Sequence, residues 1–181
     1  MLVSPRHSYS DENESAIIEV IEQYPGLGLR ELARELQISP QSLKYYTDKL
    51  LQDGQLSIKK DGKYSRFYGK DVEIEDFEEK ILTCFRKPHL LNVIMVFLDA
   101  SKKRKIEALK NHDLLAKLDD VHSAGTITYY INQLIECEII EKNKDGFHLK
   151  NKTLIERLLK KYNPTPSIID NFINLWSSYF E

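Results

Sequence analysis

The feature that most narrows the fold is an internal repeat. Moved 84 positions along itself, the chain lays Ser42-Leu43-Lys44-Tyr45-Tyr46 on Thr126-Ile127-Thr128-Tyr129-Tyr130. The match runs without a gap to Asp61-Gly62 and Asp145-Gly146, with Leu50 on Leu134, Leu51 on Ile135, Leu56 on Ile140 and Lys60 on Lys144. Apolar positions and a turn dipeptide recurring in step over about twenty residues mark a duplicated structural unit, not low complexity. With 181 residues to share, each unit is small and buries only a modest core.

In the first copy Ile17, Ile18, Val20, Ile21 and Tyr24 follow helical spacing from Glu14, and Pro25-Gly26 stops that helix. Leu29, Leu32, Ala33 and Leu36 give a second short helix that ends at Gln37-Ile38. Ser39-Pro40 opens a third, because a serine side chain caps free amides and proline needs no amide at the first helical position. This third helix runs from Gln41 to Asp53 and closes at Gly54, with Leu43, Tyr46 or Thr47, and Leu50 pointing inward. Leu56 to Lys59 alternates like a strand, Asp61-Gly62 suits the positive backbone angles of a tight hairpin, and Tyr64 to Tyr68 returns. Helix, helix, short turn, helix and hairpin is the order of a winged helix-turn-helix.

The second copy predicts an apolar helix over Leu90 to Leu98, a second around Asp113 to Leu118, a longer turn from Asp119 to Gly125, and a shorter returning strand, Phe147 to Lys150. The expected architecture is mainly α with small β-hairpin wings: two winged helix-turn-helix domains in tandem joined by a helix. Its parts are a flexible tail 1–11, a first domain 12–71, a connecting helix 72–89, a diverged second domain 90–151 and C-terminal helices 152–181. Within the last, Ile169, Phe172, Ile173, Trp176 and Phe180 form an apolar face suited to homodimer contact.

The formal net charge of −2 argues against indiscriminate coating of nucleic acid, since non-specific affinity comes from neutralised phosphates. Contact with DNA would be local. In a winged helix the third helix enters the major groove and the wing lies over phosphate or minor groove. The candidate readers are Gln41, Ser42, Lys44, Tyr45 and Lys49, with Asp48 unfavourable near phosphate, and the candidate phosphate clamp is Lys59, Lys60, Lys63 and Arg66. An exposed hairpin also carries lysines for solubility and to protect its edges. Tyr46 and Tyr130 are expected to pack while Tyr45 stays available. The second copy's third helix, Gly125 to Glu136, holds no Lys or Arg. That unit is expected to serve dimerisation, a protein partner or a small effector instead.

Other chemistries find little support. Cys84 and Cys137 are the only cysteines, sit on apolar helical stretches as expected buried thiols, and suit a reducing cytoplasm better than a disulfide scaffold or zinc ribbon. His112, Asp113, Asp119, Asp120 and His122 match no compact ligand set and read as a polar loop. No apolar run approaches the roughly 18 residues of a membrane span. No phosphate-cradling loop, nucleophile elbow or acid–base constellation appears, so neither an enzyme nor a cofactor is expected.

Leu29-Arg30-Glu31-Leu32-Ala33-Arg34-Glu35-Leu36, Ile38-Ser39-Pro40-Gln41-Ser42-Leu43-Lys44-Tyr45-Tyr46 and the stretch from Leu50 to Leu56 resemble winged-helix regulators of the ArsR and MarR type. With the tandem copy, Leu158-Leu159-Lys160-Lys161-Tyr162 and Trp176, the chain is similar to archaeal transcriptional regulators built from two winged helices. The resemblance implies sequence-specific binding of double-stranded DNA through the first third-helix and wing, generally by dimers on inverted repeats. Thr47 and Tyr46 depart from the usual aliphatic residue and the frequent histidine. The cysteine-rich metal site of some ArsR-type sensors is missing. The same fold also serves tandem winged-helix adaptor or architectural subunits acting through protein contacts, and that alternative stays open.

Overall fold

In the computed structural model, which describes residues 8–104, 107–118 and 121–162, the described chain divides into two units, one running to Glu75 and including Lys161 and Tyr162, the other running from Asp76 to Lys160. Ile169, Phe172, Ile173, Trp176 and Phe180, and with them the expected dimer face, lie outside the described residues.

The first unit comprises α1 (Ser8–Gln23), α2 (Leu29–Leu36), α3 (Pro40–Gln52), β1 (Leu56–Asp61) and β2 (Tyr64–Gly69). Helix α1 begins inside the stretch read as a tail: no Gly or Pro interrupts it, and Asp11 in its first turn complements the helix dipole. The core gathers Ile17 and Ile21 of α1, Leu32 and Ala33 of α2, Leu43 and Leu50 of α3, and Leu56 and Phe67 of the hairpin. Thr47 takes the inward position left open between it and Tyr46. Only 1% exposed, it satisfies its hydroxyl on the carbonyls of Leu43 (3.0 Å) and Lys44 (3.1 Å). Between α2 and α3, Gln37 adopts left-handed backbone (φ 55°) and the Ser39 hydroxyl accepts the Ser42 amide at 3.1 Å. That cap fixes where α3 starts.

In the hairpin Asp61 pairs with Tyr64, so the two-residue loop is Gly62-Lys63 and not Asp61-Gly62. Gly62 stands at φ 57° and Lys63 does not share a positive φ, the pattern of a turn that asks for glycine at its first central position. Leu27 bridges Phe67 from the α1–α2 loop.

The second unit comprises α4 (Asp76–Phe85), α5 (Pro88–Arg104), β3 (Ala108–Leu109), α6 (Asn111–Leu115), α7 (Ala124–Glu136), β4 (Ile140–Asn143), β5 (Gly146–Leu149) and α8 (Lys152–Lys161). The chain bends by 102° between α4 and α5, and among the described residues no single helix is long and apolar enough to cross a membrane. Helix α5 is buried almost all round, through Leu90, Leu91, the run from Val93 to Leu98, and Ala100, as a helix at the centre of a core must be. The three-stranded sheet runs β3-β5-β4. Helix α6 starts at Asn111, earlier than its apolar residues suggested, because Asp113 accepts the Lys110 amide at 2.8 Å.

The repeat persists in the backbone. Ser123 caps α7 through the Thr126 amide at 3.1 Å, as Ser39 caps α3, which starts α7 one residue before the expected Gly125. Past the helices Gly54 (φ 67°) and Glu138 (φ 62°) occupy the same left-handed cap position. The amides of Gln55 and Ile139 then bond back to Leu50 and Leu134, each at 2.9 Å.

The hairpins break the register. Strands β1 and β2 have 6 residues each, β4 and β5 only 4. Lys144-Asp145 therefore forms the second loop, and Gly146 opens β5. There φ is 145° and a Cβ would stand 2.8 Å from the Leu109 carbonyl oxygen. The Asp-Gly pair recurs in letters, but its glycine makes a turn in one copy and admits a neighbouring strand in the other.

Candidate nucleic-acid interface

Helix geometry places Gln41, Lys44, Tyr45 and Asp48 on one stripe of α3, opposite Leu43, Thr47 and Leu50. Gln41 and Lys44 are exposed, and Tyr45 is 67% exposed. Tyr46 is half-buried: its hydroxyl accepts from Asn13 Nδ2 of α1 at 3.3 Å and its ring meets Tyr45 edge-on, centroids 5.4 Å apart. One tyrosine of the pair thus ties α3 to α1 and the other projects. Lys44 donates to Asp48 one turn on. So exposed a pair is worth little.

The Ser42 hydroxyl accepts from Ser39 Oγ at 2.8 Å, on a flank of the stripe. Lys49 lies on that same flank and turns back to α1, its Nζ 2.6 Å from Glu14 Oε1. This hydrogen bond raises the Lys49 pKa, against a smaller opposing effect of desolvation. Lys49 keeps its charge but shares it with a carboxylate.

On the wing, strand alternation puts Lys59, Asp61, Tyr64 and Arg66 on one face and Lys60 and Ser65 on the other. Arg66 is held, not projecting: Nη1 donates to Glu31 Oε2 at 2.8 Å and Nε to Asp61 Oδ2 at 3.2 Å, with its side chain only 12% exposed. Glu31 Oε2 also accepts the Gly28 amide at 2.7 Å, so one carboxylate opens α2 and anchors the wing. Lys59 is exposed, donates to the Ile74 carbonyl at 3.2 Å and lies 5.6 Å from the Tyr68 ring. Exposed Lys60 donates to Ser65 Oγ at 2.8 Å. Lys63, at the tip, sits 5.3 Å from the Tyr64 ring, which Arg66 approaches at 5.4 Å. The structure thus gathers Gln41, Lys44 and Tyr45 on one exposed stripe and Lys59, Lys60 and Lys63 on the wing, while Lys49 and Arg66 engage Glu14, Glu31 and Asp61. Sequence reasoning missed these acids: Glu14 and Glu31 each lie 35 positions from their cation, beyond any helical or strand period.

On α7 the corresponding stripe differs. Thr128 bonds back to the Ala124 carbonyl at 2.9 Å, Tyr129 is 61% exposed, and Tyr130 stacks on His89 with centroids 4.6 Å apart. His112 pairs with Asp113 at 3.3 Å. Among the described residues no group of three or more His, Cys, Asp or Glu is placed to hold a metal ion; Asp119 and Asp120 lie outside them.

Residues 10–56 match the family model for the winged helix-turn-helix DNA-binding domain. The match spans most of α1, all of α2 and α3, and the first residue of β1, so the first unit carries a DNA-binding domain of that class. Compared with curated proteins, the chain has no match.

Proposed function

We propose that the chain is a transcriptional regulator that reads the major groove of double-stranded DNA with α3 and holds phosphates with the wing of its first unit. The observation that carries this reading is the exposed Gln41–Lys44–Tyr45 stripe inside a matched DNA-binding domain. Gln41 has the paired donor and acceptor that an adenine edge asks for, Lys44 suits guanine or phosphate, and Ser42 and Tyr45 suit phosphate. Lys59, Lys60 and Lys63 add cations on the exposed hairpin. Lys49 and Arg66 act as positioning residues, fixing α3 on α1 and the wing on α2.

The second unit is a diverged winged helix that does not read bases. Its order α5, β3, α6, α7, β4, β5, with the sheet arranged β3-β5-β4, supports the fold. The lack of Lys and Arg on α7 supports the division of labour. Its exposed Tyr129 favours contact with a protein or small effector, and the apolar C-terminal residues Ile169, Phe172, Ile173, Trp176 and Phe180 join two chains. Selection from random duplex DNA at two salt concentrations tests the reading. A specific motif whose affinity falls steeply with salt is expected; enrichment of no sequence, or binding indifferent to salt, would overturn it.

A further inference from the structure

Helix α4 lies beside the end of α7 within the second unit. Lys80 of α4 donates to Glu138 Oε2 at 3.0 Å, and Lys87, just past the end of α4, to Gln133 Oε1 at 3.5 Å. Rising numbers on one segment meet falling numbers on the other. Between these two ties, on the facing segments, lie Cys84 and Cys137, near enough that each thiol governs the other's ionisation. Cys84 is buried, whereas Cys137, the residue that caps α7, is partly open to solvent. The expectation of a buried thiol therefore holds at Cys84 and fails at Cys137, which is only partly buried.

The environment divides the two thiols chemically. The Cys84 hydrogen bond favours thiolate at Cys137 and lowers its pKa; desolvation opposes this, Lys87 and Lys80 reinforce it, and Glu136 weakly opposes it. The same bond, with burial, raises the pKa of Cys84. An accessible sulfur with thiolate character beside a buried thiol is the arrangement of an attacking and a resolving cysteine.

We propose that Cys84 and Cys137 form a redox modification site, at which a peroxide oxidises the pair to a disulfide joining α4 to the end of α7. The Cys137 thiolate attacks one peroxide oxygen, the O–O bond breaks, and the other oxygen leaves as hydroxide, giving a sulfenic acid. Cys84 then gives its proton to that hydroxide, forming water. Its sulfur attacks the Cys137 sulfur, and the S–O bond breaks to release a second hydroxide, which takes up a proton from solvent. Overall two thiols lose two electrons and two hydrogens, and one peroxide becomes two waters. In a reducing compartment such a bond is transient and reversed by thiols. This inference stands apart from DNA reading, and its test needs no DNA.

The reduced full-length chain is treated with hydrogen peroxide, alkylated, and analysed by intact and peptide mass spectrometry. The wild type should lose about 2 Da, yield a cross-linked peptide holding both cysteines, stay a single chain on a non-reducing gel, and regain its mass with dithiothreitol. Cys84→Ser should leave a sulfenic acid on Cys137 that dimedone traps, and Cys137→Ser should remain unlabelled at the same dose. A gain of oxygen without a cross-link, a disulfide between chains, or dimedone labelling of Cys84 in Cys137→Ser would overturn the proposal. Should a variant fail to fold, the wild-type cross-link decides alone.

Discussion

Replacing Arg66 with alanine asks whether the wing depends on the ion pairs that tie it to α2. The guanidinium makes two charge-assisted bonds, to Glu31 at 2.8 Å and Asp61 at 3.2 Å. Such bonds contribute about 1.5–3 kcal/mol each when well shielded. Here Asp61 is 45% and Glu31 30% exposed, so solvent screening reduces the Asp61 arm to about 0.2–1 kcal/mol and the Glu31 arm to somewhat more. Glu31 keeps the Gly28 amide after the substitution, which avoids the cost of a carboxylate stripped of partners. The net loss is about 1–3 kcal/mol, or roughly 5- to 150-fold in the local opening equilibrium. The Phe67 and Gly26 amides report it, since they bond across the wing–loop bridge at 3.0 and 2.8 Å. Native-state hydrogen exchange should quicken at both by that factor, while amides of α5 do not change. If Arg66 positions the wing, Arg66→Ala weakens DNA binding but leaves the slope of log K against log salt unaltered. Unchanged exchange at Phe67 together with a slope shallower by about 0.9 would instead make Arg66 a phosphate ligand and rule out its role in positioning the wing.

Lys60→Ala should behave oppositely, reducing the salt slope by about 0.9 with no change in exchange at Phe67, as titrations across a salt series will show. Because Lys49 has a raised pKa in the fold, the stabilising effect of its pair with Glu14 is complete below the ordinary lysine pKa of about 10.4 and disappears as pH rises through the raised value. NMR titration of the Lys49 side chain should show the shift and its loss in Glu14→Gln. Glu138→Gly relieves left-handed backbone at a non-glycine residue, about 1–2 kcal/mol, but gives up the exposed ion pair with Lys80, which offsets part of that gain. It should stabilise the second unit by about 0.5–1 kcal/mol net, read from exchange of α5 amides. Gly146→Ala should destabilise that unit by about 2–3 kcal/mol on the same readout, because its Cβ meets the Leu109 carbonyl.

What the sequence revealed follows from how far each determinant reaches. The bounds of α2 and α3 were legible because Ser39, Pro40 and Gly54 act on their immediate neighbours. The offset that aligns the third helices carries through to Gly54 and Glu138 because both helix ends need the same backbone geometry. The wing turns were misread: Asp-Gly is a strong local signal, yet a hairpin with 2 fewer residues in each strand moves the loop and gives its glycine another task. Strand β3, only 2 residues long, has no alternation to detect. At the candidate site, periodicity found the exposed stripe of α3. The engagement of Lys49 and Arg66 depends on acids brought near by tertiary folding, as does the meeting of Cys84 with Cys137.

On the proposed division of labour the first unit reads DNA and the second does not. Fluorescence anisotropy on a selected duplex at fixed salt compares the wild-type full chain with Gln41→Ala/Lys44→Ala and with Thr128→Ala/Asn132→Ala. The first pair should weaken specific binding by at least about 1–3 kcal/mol, roughly 5- to 150-fold, and the second pair should leave it unchanged. Equal losses from both pairs, or none from the first, would contradict that division.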